Sequence, residues 1–208
     1  MDIKTEDNPG GKKTFAEHVL KIEKCGPNED YLTIIDVPGI FRNIDKGITT
    51  HDQRVFVQDM VKAYIKDERT VILAVLPSSA DVATQEILAL AEEADRSGDR
   101  TLGILTNADL LKEKSAKAAV ASLVDGTRKP LKLGYHLVTN RGGDDLGAED
   151  DTAAALQQRE IMFQESPWKN LPEDRIGIQA LRERLQDVLG EITDRAFPAL
   201  RDETKSKL

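Results

Sequence analysis

An aspartate that follows an apolar run is the first residue in this chain whose position suggests chemistry. The run Leu32–Ile35 is largely apolar and β-branched, the pattern of a strand buried on both faces. Asp36 comes next, and Pro38-Gly39 then gives a strong turn signal. A carboxylate at the carboxyl end of such a strand lies on the edge where open α/β sheets bind ligands. A core strand that ends in an ordinary turn is the alternative, because short motifs have many false positives.

Three later runs also have strand character, and two of them end in polar groups suited to a nucleotide. They are Thr70–Leu76, Thr101–Leu105 followed by Thr106-Asn107-Ala108-Asp109, and His136–Thr139 followed by Asn140-Arg141. Helical periodicity lies between and after them, at 48–65, up to Ala94, at 153–164 and from Ile178. Residues 15–24 predict an outer strand that forms an antiparallel hairpin with the run before Asp36. The order predicts an α/β domain with a mostly parallel central sheet flanked by helices.

The motifs D-x-P-G, T-x-x-D and N-R, in this order and spacing, resemble the GTPase domain of the dynamin superfamily, in particular its Mx-like members. The resemblance covers the chain from about Phe15 to the C-terminus. It implies a P-loop-NTPase-like fold and hydrolysis of the β–γ phosphoanhydride of GTP with Mg²⁺. It also implies a division into a flexible leading segment (1–14), a partial GTPase domain (15–177) and a C-terminal amphipathic helix (178–208). That helix would lead towards a stalk.

The resemblance implies that the first motif, D-x-P-G, contacts the phosphates of the nucleotide. Asp36 would hold Mg²⁺ through water, and the backbone N–H of Gly39 would meet the γ-phosphate. Both are therefore predicted catalytic and cofactor-binding residues. Residues 40–43 occupy the place of the family's second switch, with a plain surface loop as the alternative.

The later motifs take the base side. Guanine presents two adjacent donors, N1–H and the N2 amine, and an ionised Asp109 can accept both. Thr106, Asn140 and Arg141 complete the nucleotide-binding set that the resemblance implies. The family's lysine is replaced by Asn107, which lacks the methylene stem that covers one face of the base. Without the resemblance, Asp109 would be interpreted as a helix cap and Asn140-Arg141 as part of a turn.

Asp81, in the loop after the run Thr70–Leu76, has two interpretations. From the residues alone, Asp81 or Thr84 caps the following helix. In the dynamin pattern, the aspartate belongs to a loop that reaches across a dimer of GTPase domains. The implied partners are GTP and another GTPase domain. For the full-length family they also include stalk-mediated oligomers, membranes or microtubules, with membrane remodelling as the process.

The phosphate-binding loop is missing from its expected position. The family's P-loop and first-switch threonine lie upstream of D-x-P-G, and the 35 residues before Asp36 contain neither. Gly11-Lys12-Lys13 precedes a predicted strand, whereas a P-loop follows one. We therefore expect a sheet that is incomplete at its N-terminal part and a chain that is inactive alone. A truncated gene prediction, a degenerate paralogue or a fragment would each give such a chain.

Composition bounds the remaining possibilities. The net charge of −8 and the pI near 5.0 argue against nucleic acid as a partner. Cys25 is the single cysteine, which excludes an internal disulfide and fits a reducing compartment. No apolar run approaches a membrane span, and the N-terminus has no signal-peptide core. The prediction is a soluble cytoplasmic protein, peripheral to organelle membranes by resemblance.

Two other functions stay open. One is a non-catalytic interaction module that uses Asp81 and the C-terminal helix to pair with another GTPase domain. The other is an unrelated doubly wound enzyme, which is disfavoured because no G-x-G-x-x-G follows a strand.

Overall fold

The computed structural model describes residues 10, 18–27, 33–39, 51–81, 85–140 and 153–207. The chain forms two compact units, residues 1–64 and 65–208. Helix α1 (His51–Ile65) buries Val57 and Val61, which are one helical turn apart and therefore share a face. No helix among the described residues is both long and apolar enough to cross a lipid bilayer.

The second unit is built on a three-stranded parallel sheet in the order β1-β2-β3. The strands are β1 (Ile72–Pro77), β2 (Thr101–Thr106) and β3 (Tyr135–Leu137). Central β2 is buried at every position but its last, which explains its nearly unbroken apolar sequence. Helices α2 (Glu86–Ala94) and α3 (Lys114–Val124) connect the strands. The predicted α/β fold with a parallel sheet flanked by helices is confirmed.

A close approach between β2 and β3 requires glycine at position 103. Gly103 is paired with Tyr135, and a Cβ added at Gly103 would lie 2.2 Å from Cδ1 of the Tyr135 ring. Any side chain would therefore displace the ring, which is 1% exposed. The ring belongs to the core cluster of this unit. That cluster contains Leu76, Leu105, Ala108, Leu111, Val120, Ala121, Leu123, Val124, Tyr135, Leu137, Phe163, Trp168 and Leu171.

A buried arginine stabilises the amino end of β2. Arg100 is 6% exposed, and its Nη1 donates to the Thr70 carbonyl at 2.9 Å. Its Nη2 donates to the carbonyls of Ile65 and Ala94, both at 2.8 Å. Ile65 and Ala94 are the last residues of α1 and α2, so their carbonyls lack intrahelical partners. Arg100 thus joins three chain segments that precede β1 and β2.

The side chain of Asp95 stabilises the turn between α2 and β2. Its carboxylate accepts the Thr101 hydroxyl at 2.6 Å and the N–H groups of Arg100 and Asp99, both at 3.1 Å. Burial alone would raise the pKa of Asp95, but these hydrogen bonds hold that pKa below its usual value.

The described chain ends in a long helix that is attached to β3. Helix α4 (Ala153–Glu160) continues into a 3₁₀ turn, Ile161–Gln164, and α5 spans Ile178–Lys207. Gly177 N–H donates to the Leu137 carbonyl at 2.9 Å, and Glu160 Oε1 accepts the Ile178 N–H at 2.8 Å. The carboxylate therefore satisfies a donor in the first turn of α5. The helices predicted at 153–164 and from Ile178 are confirmed, whereas the division of the chain at 14 and 177 stays a prediction.

The strand predicted before Asp36 is wrong. Residues 33–39 form no strand, and Ile34 and Ile35 are 69% and 49% exposed. A strand needs hydrogen-bonded neighbours, and no segment that the structure describes pairs with this one. The predicted hairpin fails for the same reason, because residues 18–27 are exposed and form no strand.

Candidate functional site

The parallel pairing of β2 and β3 brings two predicted nucleotide motifs to one edge of the sheet. Leu105 of β2 lies opposite Leu137 of β3, and both strands end there or one residue later. Asp109 follows β2 in a 3₁₀ turn, Ala108–Leu110, and Asn140 follows β3 by three residues. Both side chains are exposed. They leave the sheet at its carboxyl edge, where open α/β sheets bind ligands.

The chain turns sharply as it leaves β2. The Thr106 hydroxyl donates to the Leu76 carbonyl at 3.3 Å, which ties the ends of β1 and β2 together. Asn107 then adopts a left-handed conformation with φ 58° and ψ 39°. Among residues other than glycine, asparagine enters this region with the least cost. The departure from the family's lysine at Asn107 therefore suits the local backbone.

Asp109 does not cap a helix. The N-cap positions of the 3₁₀ turn and of α3 are Asn107 and Glu113, and neither side chain makes a capping hydrogen bond. Within the described residues, the Asp109 carboxylate has no hydrogen bond or ion pair. The capping interpretation is wrong, and the carboxylate is accessible to a ligand.

Two buried hydroxyls at the same edge of the sheet were not predicted from the sequence. Ser78 follows β1, and its N–H donates to the Thr106 carbonyl at 2.8 Å; Thr139 follows β3 by two residues. They are 6% and 3% exposed, and neither side-chain oxygen has a hydrogen-bond partner among the described residues. Such groups normally bind a protein group, a ligand or water. Side chains in a strand alternate between its two faces, so residues two positions after the buried Leu76 and Leu137 are expected on the same buried face. That pattern, extended past the strand ends, would have indicated both Ser78 and Thr139.

Asp81 lies in the loop after β1 and is exposed. Its Oδ1 is 3.7 Å from Nη2 of Arg128, and its backbone carbonyl accepts Nε2 of Gln85 at 3.1 Å. The N-cap residue of α2 is Gln85, whose side chain makes no capping hydrogen bond, so the prediction that Asp81 caps α2 is wrong. Thr84 lies outside the described residues, and the dimer contact of Asp81 stays a prediction.

The predicted phosphate-side residues lie in the other unit. Asp36 and Gly39 are exposed residues of the described segment 33–39. Arg141 and the switch segment 40–43 lie outside the described residues. Among those that are described, no three or more His, Cys, Asp or Glu side chains form a group that could hold a metal ion. Mg²⁺ typically takes one or two protein carboxylates plus substrate phosphates, a donor set in which the exposed Asp36 fits.

His136 is a core residue, as predicted. It is 2% exposed in the middle of β3, and its Nδ1 has no partner among the described residues. Burial lowers the pKa of His136 to about 4, assisted by the charge of Arg184 and opposed by Asp174. It is therefore neutral at physiological pH.

Comparison with known proteins decides the family. Residues 1–108, just over half of the 208-residue chain, match the sequence profile of the Dynamin family, and residues 119–208 match that of the Dynamin central region. The chain belongs to the dynamin family. Within this family it is similar to Mx proteins, as the order of motifs had indicated.

Three relatives illustrate this similarity within the dynamin family. Interferon-induced GTP-binding protein Mx1 of Mus musculus is 32% identical over 194 residues, which are 92% of this chain and 30% of that protein. Mx1 of Equus caballus is 34% identical over 193 residues, 92% of this chain and 29% of the relative. Interferon-induced GTP-binding protein Mx of Ctenopharyngodon idella is 36% identical over 201 residues, 96% and 32% of the two chains. The chain therefore spans about a third of the length of these relatives.

Proposed function

We propose that this chain forms the guanine-binding side of a dynamin-type GTPase site. The observation that carries the proposal is the position of Asp109, an exposed carboxylate at the carboxyl edge of the sheet without a partner in the described chain. Asn140 follows the neighbouring parallel strand at the same edge. The names of the Mx relatives describe those proteins as GTP-binding, which agrees with this assignment.

The chemistry of the base supports Asp109 as the selective group. Its carboxylate accepts the N1–H and N2 amine of guanine, and such charge-assisted pairs are strong and directional. Adenine lacks that pair of donors, so an adenine complex would leave the carboxylate unpaired. Thr106 and Asn140 complete the edge, with Arg141 next in the chain.

The phosphate side of the proposal rests on the first motif. Asp36 would hold Mg²⁺ through water, and the Gly39 N–H would meet the γ-phosphate. Bound Mg²⁺ would neutralise charge that develops on the phosphates during hydrolysis. In the complete site these two residues would act catalytically.

The proposed partners follow from family membership. Asp81 would contact another GTPase domain across a dimer, for which its exposed position in the loop after β1 is suitable. Stalk-mediated oligomers, membranes or microtubules, and membrane remodelling from the cytoplasm, are proposals for the full-length protein.

A nucleotide titration tests the proposal. The chain is titrated with a fluorescent GTP analogue, with and without Mg²⁺, and GTP and ATP are compared as competitors. We expect weak binding that GTP displaces better than ATP, and we expect Asn140→Ala to weaken it. Asn170→Ala, which changes an exposed asparagine in the 3₁₀ turn Trp168–Asn170, is the matched control.

Equal competition by ATP, or an Asn140→Ala chain that binds as well as the Asn170→Ala control, would contradict guanine recognition. A chain that binds no nucleotide but pairs with a dynamin-family GTPase domain would favour the non-catalytic interaction module instead.

A further inference from the structure

A groove at the amino ends of β2 and β3, opposite the candidate nucleotide edge, has the size and the lining of a second ligand site. It lies between α2 and the loop that joins α3 to β3, and its volume is about 720 Å³. Thr101 and Tyr135, the first residues of β2 and β3, lie at its base. Small-molecule sites in proteins typically have volumes of roughly 300–1,000 Å³.

The floor of the groove is apolar. Tyr135 and Ala91 are 1% and 2% exposed, and both line it. Leu88 of α2 and Leu131 of the loop are half-buried, line the groove, and pack against the core cluster that contains Tyr135. The floor therefore belongs to the packed core of the unit and is formed without a ligand.

The rim is mainly basic, in a chain whose net charge is −8. Arg96, in the turn after α2, and Lys129, in the loop, are exposed and line the groove. Neither has an ion pair or hydrogen bond within the part of the chain that the structure describes. Lys132 also lines the groove but pairs with Asp99. The anionic residues of the lining are Glu92 and Asp95, and the Asp95 carboxylate already accepts hydrogen bonds from its own turn.

The backbone at Lys129 is unusual. Its φ is +42°, a left-handed conformation that residues with a side chain rarely adopt. Such strain concentrates where a side chain is held for binding. Lys129 is followed by Pro130, which also lines the groove.

We propose that this groove binds a small organic anion with an apolar or aromatic body. The body would lie on Leu88, Leu131 and Tyr135, and the anionic group would meet Arg96 and Lys129. The site does not depend on the nucleotide edge and stands without the proposed function.

The probe for the test is 1-anilinonaphthalene-8-sulfonate, an aromatic sulfonate whose fluorescence rises on binding. We expect saturable binding of one probe per chain at low salt, with weak competition by inorganic phosphate because phosphate lacks the apolar body. The variant Arg96→Gln/Lys129→Gly removes both cations, and its glycine keeps the left-handed backbone. Its dissociation constant should rise at least about fivefold, since each cation donates to a charged group.

One further variant serves as the control. Lys169→Gln removes an exposed cation that does not line the groove and should leave binding unchanged. Circular dichroism confirms that each variant is folded. Titrations that do not saturate, or a double variant that binds as tightly as Lys169→Gln, would overturn the proposal.

Discussion

Leu105 of β2 lies directly opposite Leu137 of β3 in the parallel register. Because of this pairing, the chain segments after the two strands leave the sheet on the same edge, with Asp109 on one and Asn140 on the other. In an antiparallel pair the two segments would leave at opposite edges. The pairing thus places residues 109 and 140, which are 31 positions apart in the sequence, at the same edge of the sheet.

Hydrolysis by the chain alone should not exceed background. The sequence contains no G-x-x-x-x-G-K-[ST], so the backbone cradle and lysine that position triphosphate are lacking. The measurement is single-turnover GTP hydrolysis by the 208-residue chain with Mg²⁺ and K⁺, over a range of protein concentrations. A rate well above the protein-free control, abolished by Asp36→Ala, would show that the chain supplies a phosphate cradle of another kind.

Lysine at position 107 should tighten GTP binding and lower stability. The lysine stem would cover one face of the base. The same change forces a long side chain into the left-handed backbone of Asn107, at a cost of about 1 kcal/mol. Nucleotide titration and thermal unfolding of Asn107→Lys measure the two effects separately.

Asn107→Gly is the control, because glycine accepts the backbone but has no stem. Binding by Asn107→Lys that is equal to or weaker than that of the unaltered chain would mean that another group already covers the base.

Stability should fall with acid because of His136. Its pKa in the folded chain is about 4, against 6.5 for an exposed histidine. As the pH falls, the unfolded chain therefore binds a proton at this histidine before the folded chain does. The share of the free energy of unfolding that depends on neutral His136 is complete above pH 6.5 and is lost as the pH falls towards 4. The loss should reach about 3 kcal/mol.

Urea unfolding at a series of pH values measures this effect. The variant His136→Leu should lose the dependence in this window, whereas His51→Gln, which changes an exposed histidine, should keep it. A His136→Leu chain with the same pH dependence as the unaltered one would refute the assignment.

Arg100→Met should destabilise the second unit by about 2–4 kcal/mol, because it leaves the carbonyls of Ile65, Thr70 and Ala94 without their donor. Methionine keeps the apolar part of the stem. Arg96→Met changes an exposed arginine four residues earlier and should cost little. Urea unfolding at neutral pH compares the two, and equal losses would show that the three hydrogen bonds contribute nothing specific.

Strands and helices of the second unit could be predicted because their signals are local. β2 is buried on both faces, and an apolar run in the sequence is the pattern expected of such a strand. The run before Asp36 has the same signal but no described partner strand, and Ile34 is exposed. A strand is a pairing of two segments, and one segment alone does not establish it.

The side-chain environment of the site could not be predicted in the same way. Asp109 and Asn140 were found because a family pattern names them. Asp81 forms an ion pair with Arg128, 47 residues later in the chain, and no local pattern connects the two. Ser78 and Thr139 are buried, and no local pattern predicts that their hydroxyls have no hydrogen-bond partner among the residues that the structure describes.

The most direct test of guanine recognition is the base preference of Asp109→Asn. NMR titrations of amide shifts compare GTP with xanthosine triphosphate for the unaltered chain, for Asp109→Asn and for Asp187→Asn, an exposed control on α5. An amide donates where the carboxylate accepted, and xanthine presents a carbonyl where guanine has its amine. We predict that Asp109→Asn reverses the preference from GTP to xanthosine triphosphate by about tenfold or more, whereas Asp187→Asn does not. An Asp109→Asn chain that keeps its affinity for GTP would contradict the account and remove Asp109 from the base pocket.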